Sequence, residues 1–261
     1  MTDITIILPL PSYSEAQDAA YVRTIESIKK LVDVTPTIIA VGDAASNNHL
    51  KTLLPTEWDT TLLNVKNTTL QYEVGKAVKE VKTDYFSVIE LGDEYLPTWF
   101  THVSKEIELN EPNSLYLPIL EVVDADHLDV GAIAYANEPV WASSFSEELG
   151  YIDSECLDYY FQFVISTGVF NKKDFTNVGG VKCNIKAFYW YELLKRYCHN
   201  KLRVYVIPKA NTHYLNQEGS FQKQEMLLSD DEKTFWFAAA KDECVFKRDR
   251  EKTYVEPQGS N

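Results

Sequence analysis

Short apolar runs and amphipathic stretches alternate through the first hundred residues. Ile4-Thr5-Ile6-Ile7-Leu8 has the pattern of a buried strand and is closed by Pro9 and Pro11. Ser14 and Glu15 open the next stretch, where Val22, Ile25, Ile28 and Leu31 recur at helical spacing with Arg23, Glu26, Lys29 and Lys30 off that face. The spacing predicts a helix covering one face of a sheet. Pro36 restarts the chain into Thr37-Ile38-Ile39-Ala40-Val41, a second strand that ends in Gly42-Asp43-Ala44-Ala45-Ser46. Strand, helix and strand in this order imply parallel pairing with a right-handed crossover. A third strand is expected from Thr61 to Val65, a helix from Leu70 to Val81, and a fourth strand through Phe86-Ser87-Val88-Ile89. Gly92 breaks that strand, and Pro97 suits the first turn of another helix. The predicted fold class is α/β, a doubly wound and mainly parallel sheet with helices on both faces.

Past Phe100 the pattern changes. Leu115 to Val123 and Val130 to Ala136 alternate around Asp124-Ala125-Asp126-His127-Leu128-Asp129, which predicts a β-excursion with an acidic loop. From Tyr151 the chain turns into Phe161-Gln162-Phe163-Val164-Ile165 and then Thr167-Gly168-Val169-Phe170, read as another strand. A short helix follows from Asn171 to Val178, ended by Gly179-Gly180. An amphipathic helix is expected from Lys186 to His199, then a strand Arg203-Val204-Tyr205-Val206-Ile207 closed by Pro208. Ser229 with Glu232 three residues on makes a capping box for a helix containing Phe235-Trp236-Phe237-Ala238, and the residues from Lys252 are expected to fray.

At 261 residues and 45% hydrophobic, the chain can bury one large core. It reads as a single domain over 1–261, with a doubly wound half (1–100) of the kind that binds nucleotides, a second half (101–220) containing β-structure, and a C-terminal helix and tail (221–261). A net charge of -14 excludes a nucleic-acid or anionic-membrane surface, since both need a basic face. Cys156, Cys183, Cys198 and Cys244 are widely spaced without a C-x-x-C, the pattern of free thiols in a reducing compartment. The apolar run from Ile4 to Leu10 is too short to span a membrane and lacks a basic leader, so it is read as a strand rather than a signal peptide. No later stretch reaches spanning length, and a cytoplasmic protein is expected.

Glu90, Asp93 and Glu94 cluster at the carboxyl end of the fourth strand, where open α/β sheets bind ligands. Two readings are open: a solvated acidic turn before a helix, or carboxylates compensated by a divalent metal that carries a phosphate. The literal D-x-D at Asp124-Ala125-Asp126, with His127 and Asp129, has the right ligand types but stands in the β-excursion. Phe188, Tyr189, Trp190 and Tyr191 form an aromatic cluster that suits either helix-core packing or a platform for a sugar face. No G-x-G-x-x-G follows the first strand, which disfavours a dinucleotide cofactor enzyme.

Taken in order, the segments from about residue 3 to 220 resemble the family-2 glycosyltransferases of the GT-A fold. Ile4-Thr5-Ile6-Ile7-Leu8-Pro9 with the helix through Ser27-Ile28 is similar to that family's first strand and helix, and Ile38-Ile39-Ala40-Val41-Gly42-Asp43 to its "IIVDD" strand. Gly75 to Val81 followed by Asp84-Tyr85-Phe86 resembles the approach to its acidic motif. Gly168-Val169-Phe170 through Phe175-Thr176-Asn177-Val178-Gly179-Gly180 resembles its "VGG" segment, and Val204-Tyr205-Val206-Ile207-Pro208 through His213 and Ser220 its closing strand and C-terminal loop. Glu94-Tyr95 and Trp99-Phe100 beside Trp190-Tyr191-Glu192 resemble a subgroup carried by large algal viruses or phages.

The resemblance implies transfer of a sugar from a UDP- or GDP-sugar to a glycan or protein acceptor. It implies that Asp43 reads the base, that Lys76, Gly92 and Asp93 contribute to the nucleotide-sugar site, and that Asp93 is catalytic through a bound cation. Glu90, Asp93 and His213 would hold Mn2+ or Mg2+, and Tyr189, Trp190 and Glu192 would bind the acceptor. Two departures stand against it. The central aspartate of the family's D-x-D-D falls on Gly92, and the "E-D" pair that supplies a catalytic base falls on Tyr189-Trp190. Glu192 lies about 200° further round the helix from Trp190. A GT-A-shaped nucleotide- or glycan-binding module without catalysis is the alternative.

Overall fold

The computed structural model describes residues 2–66, 69–123, 135–215 and 228–253, with 242–253 described by their backbone. β1 (Ile4–Pro9), β2 (Thr37–Gly42), β3 (Asp59–Asn64) and β4 (Tyr85–Val88) are joined through α1 (Asp18–Lys29), α2 (Ala44–Leu53) and α3 (Leu70–Glu80). They pair in parallel in the order β3-β2-β1-β4. The doubly wound half expected from the apolar runs is thus present. After β4 come β5 (Glu94–Tyr95), α4 (Trp99–Leu109), β6 (Leu115–Val123) and β7 (Tyr135–Ala136). The remainder is β8 (Tyr151–Ile152), α5 (Ser154–Tyr159), β9 (Val169–Asn171), α6 (Lys172–Asn177), α7 (Tyr189–His199), β10 (Val204–Leu215) and α8 (Asp230–Thr253).

β9 enters antiparallel between β4 and β6, β10 runs parallel to β6, and β5 returns antiparallel on β10, so a single sheet continues from one half into the other. Strand periodicity distributes the core over its two faces. Ile6, Leu8, Ile38 and Ala40 pack with Tyr21, Ile25 and Ile28 of α1 and with Trp99 and Val103 of α4. Ile7, Ile39, Val41 and Val88 face the other way, onto Leu70, Val74 and Ala77 of α3 and Trp190 and Leu193 of α7.

Four local expectations are corrected. Val22 is 46% exposed, and Tyr21 takes its place on a buried stripe that otherwise runs through Ile25, Ile28 and Leu31 as expected. Residues 161–165 are not a strand, because the backbone of Val164 bonds a side chain instead of a ladder. Val164 N–H donates to Asn137 Oδ1 at 2.9 Å, and Asn137 Nδ2 donates to Val164 O at 2.8 Å and Pro118 O at 3.0 Å. β10 passes through Pro208 and reaches Leu215, because the missing N–H falls where the register to β6 shifts between Ile207 and Ala210. The helix predicted from Lys186 starts at Tyr189, after Phe188 takes a left-handed conformation with φ 59°. The Ser229–Glu232 capping box is formed, Ser229 N–H donating to Glu232 Oε2 at 3.0 Å and Glu232 N–H to Ser229 Oγ at 3.3 Å. The acidic loop 124–129 lies outside the described residues, as do 254–261.

Asn137 is fully buried at φ 66°, a conformation asparagine tolerates better than most residues. Asn137→Ala leaves the Val164 amide without its acceptor and is expected to cost about 2–4 kcal/mol in urea-monitored unfolding.

Candidate functional site

The carboxyl ends of β1, β2 and β4 lie side by side, and the residues that follow them form the candidate site. Asp43 ends β2 and caps α2: its Oδ1 accepts from Ser46 N–H at 2.8 Å and from Ser46 Oγ at 2.9 Å. Those donors hold its carboxyl below the usual range, so it is ionised at neutral pH. Ser46 is fixed in turn, since its hydroxyl also lies 2.8 Å from Pro11 O in the turn after β1. Beyond that turn Tyr13 stacks on His49 of α2 at 4.4 Å, and Tyr21 meets His49 edge-on at 4.9 Å. Tyr13 is a site feature that the hydrophobic pattern does not mark, because it stands in a polar turn.

At the end of β4 the chain folds into a buried acidic turn. Ile89 N–H donates to Ile7 O at 3.1 Å and extends the β1 pairing by one residue; Asp93 N–H then donates to Glu90 O at 3.1 Å. Glu90 and Asp93 are each 2% exposed. Asp93 Oδ2 accepts a short hydrogen bond from Ser166 Oγ, and Oδ1 accepts from Leu215 N–H at 3.0 Å. Burial nevertheless dominates and pushes its carboxyl up to about 7. Gly92 takes φ +101°, its N–H donates to Thr24 Oγ1 at 2.8 Å, and a Cβ there would stand 2.9 Å from Leu215 Cδ2. Glycine is therefore required at this position.

His213 sits on β10 with Glu94 of β5 and Glu121 of β6 as its cross-strand partners. Its Nδ1 is 2.8 Å from Glu94 Oε2 and its Nε2 3.4 Å from Glu121 Oε2, while Arg23 Nε lies 3.9 Å from Glu94 Oε1. The Glu94 hydrogen bond raises the His213 pKa above its ordinary value.

No protein-family model matches the sequence, and no curated protein does. Solved structures do match. Residues 1–349 of TarS from S. aureus align at TM-score 0.62 and 11% identity over 82% of this chain and 60% of that one. The same fragment in complex with UDP-GlcNAc aligns at TM-score 0.60 and 12% identity, over 85% of this chain and 60% of that one. The mannosyltransferase PcManGT from Pyrobaculum calidifontis, in complex with GDP-Man and Mn2+, aligns at TM-score 0.64 and 8% identity, over 86% of this chain and 60% of its own. The fold is that of GT-A-type glycosyltransferases. This chain spans 60% of the length of those structures and 44% of the longer TarS structure. Identities this low establish the shared architecture.

The cation ligands implied by the resemblance are engaged by the protein itself. Among the described residues no three His, Cys, Asp or Glu side chains gather in a metal-binding cluster. Both ring nitrogens of His213 face carboxylates, both oxygens of Asp93 accept from the protein, and Gly92 cannot carry a ligand side chain. The set Glu90, Asp93 and His213 therefore does not fit a divalent cation as it stands. Lys76 is exposed on α3, 5.3 Å from the Tyr72 ring, in a cavity of about 630 Å³ lined also by Asn64, Lys66 and Lys79 on the outer edge of β3.

Tyr189 and Trp190 are 3% and 5% exposed, and Trp190 stacks on Phe170 at 5.8 Å. An acceptor platform needs an open ring face, so here they serve the core. Glu192 is fully buried and receives Arg196 Nε and Nη2, both at 2.6 Å, with Lys182 Nζ at 3.0 Å. Arg196 also donates to Val178 O and Gly180 O, which ties α7 to the Gly179-Gly180 turn. Glu192 is thereby committed to structure.

Asp93 gives the turn a pH signature. Its folded pKa is raised above the unfolded value of about 3.9, so its contribution is intact below pH ~4 and is lost as the pH rises through about 7. Asp93→Asn keeps an acceptor for Leu215 N–H and a donor for Ser166. Its stability relative to the parent is expected to rise by a few kcal/mol in order of magnitude between pH ~4 and ~8, read by urea unfolding.

Proposed function

We propose that this chain transfers a sugar from a UDP- or GDP-activated donor to a glycan or protein hydroxyl. The observation that carries this reading is Asp43, an ionised carboxylate fixed at the carboxyl end of β2, in a fold whose matched structures hold UDP-GlcNAc and GDP-Man. An acceptor-only group placed there suits the ring N–H that uracil and guanine both present. The transfer itself joins an acceptor hydroxyl oxygen to the anomeric carbon while the bond from that carbon to the diphosphate breaks; the nucleoside diphosphate leaves with that bond's electrons and the hydroxyl proton passes to solvent. In this reading Asp93 is a positioning residue: it holds the Glu90–Glu94 turn against Ser166 and the end of β10, beside the place where the diphosphate lies. Gly92 lets the backbone approach there without a side chain. The acceptor enters from the 101–220 half.

PcManGT holds Mn2+. Because Glu90, Asp93 and His213 do not form a ligand set here, no step of the transfer is assigned to a cation. A second reading, a GT-A-shaped module that binds nucleotide or glycan without turnover, draws on the burial of Tyr189 and Trp190 and on the Glu192–Arg196 pair, which leave the start of α7 without an available carboxylate. Release of UDP or GDP from the corresponding nucleotide-sugars in the presence of glycans separates the two.

A bound nucleoside diphosphate stabilises the native state by about 2.7 kcal/mol at a hundredfold excess over Kd. UDP or GDP is expected to raise the Tm of the parent, and Asp43→Ala to abolish the rise. Calorimetry that shows undiminished binding by Asp43→Ala removes Asp43 from the site.

A further inference from the structure

Another buried carboxyl stands beside the candidate site, on α3. Leu70, Glu73, Val74 and Ala77 form the inward stripe of α3, so the helix places a glutamate where its neighbours are aliphatic. Glu73 is completely buried, and neither of its oxygens has a hydrogen-bond partner among the described residues. Its carboxyl lies against the backbone of Leu10 at the end of β1 and within electrostatic reach of Asp43 at the end of β2. A buried polar group left unsatisfied needs a reason, and a partly built ligand site is one.

We propose that Glu73 is a positioning residue of the donor site that acts through Asp43, fixing the charge of the crevice in which Asp43 meets the nucleobase. This rests on the donor reading above. The titratable groups that face Glu73 are Asp43 from the start of α2 and Tyr21 from α1; β1 contributes only the Leu10 backbone. Burial first, and then the Asp43 charge, push the Glu73 carboxyl up to about 9. At neutral pH it therefore carries its proton and adds no negative charge to that of Asp43. Ionising Glu73 places a second charge there with only the Leu10 backbone to receive it, which opposes a nucleoside diphosphate and disturbs the Asp43 geometry. The signal is legible in the sequence as a carboxylate on an apolar helical stripe.

Two measurements on the full chain test this. In carboxyl 13C NMR titration Glu73 is expected to have its midpoint near 9, and Asp43→Asn to lower it. A midpoint near the ordinary 4.5, or one that Asp43→Asn does not move, overturns the coupling. UDP and GDP affinities are then followed from pH 7 to 10 for the parent and Glu73→Gln, which stays neutral at every pH. The ratio of variant to parent affinity is expected to rise by roughly tenfold between pH 7 and pH 10, one unit above the midpoint. Titration of the base itself is common to both proteins and cancels in the ratio. A constant ratio with binding intact overturns the role of Glu73 and leaves the donor reading standing, whereas nucleotides that bind neither protein overturn both.

Discussion

A carboxylate taken out of water must find donors or hold its proton, and Asp93 meets that constraint with groups from distant parts of the chain. Ser166 Oγ is 73 residues away in sequence and Leu215 N is 122 away. The same Ser166 hydroxyl accepts from Glu90 N–H at 3.2 Å, so one side chain closes the turn from both ends. Around it, Tyr95 Oη donates to Ser87 Oγ at 2.8 Å, and Trp99 Nε1 and Ser87 Oγ both reach Thr167 O, at 2.9 and 3.1 Å. The turn after β4, the loop before β9 and the end of β10 are thereby made one unit. These are the segments that surround the carboxyl end of the sheet, and the shape of the crevice depends on their staying together. Removing one buried partner from such a network leaves the others unsatisfied, which costs more than the lost bond itself.

The electrostatics of the site follow from the same economy of charge. The chain carries -14 overall, yet its proposed ligand is an anion. Where the nucleotide is expected to lie, the carboxyls of Asp93 and Glu73 are pushed toward their neutral forms by burial, and Glu94 and Glu121 are engaged by His213. Asp43 alone is driven the other way, because Ser46 donates to it. Local structure, rather than net charge, decides what this end of the sheet can accept.

The parallel half of the fold was legible because its strands are buried runs joined through helical stripes, so its parallel pairing followed from the alternation of strand and helix, whereas the order β3-β2-β1-β4 did not. Phase was harder: Val22 and Tyr21 are both apolar, and only the packed structure shows which one faces the sheet. The second half resisted for another reason. Its irregular segments are stabilised by side chains acting on backbone, as Asn137 does for Val164, and such bonds leave no periodicity. In the candidate site, Asp43 and the acidic turn were found at the expected strand ends. What could not be read was that Asp93, Glu90 and Glu192 point inward, since their partners are remote in sequence or, for Glu192, one turn along a helix that is itself buried. Tyr189 and Trp190 are inward because Phe188 sets the start of α7 through a left-handed residue.

The proposed donor site lies at the carboxyl ends of β1, β2 and β4. Amide hydrogen exchange with and without UDP or GDP tests its position, because protection reports where a ligand orders the backbone. A nucleotide held there slows exchange in residues 10–14, 43–47 and 89–94 and leaves α7 unchanged. Protection confined to Tyr189–His199, or to the β3–α3 edge around Lys76, would contradict it.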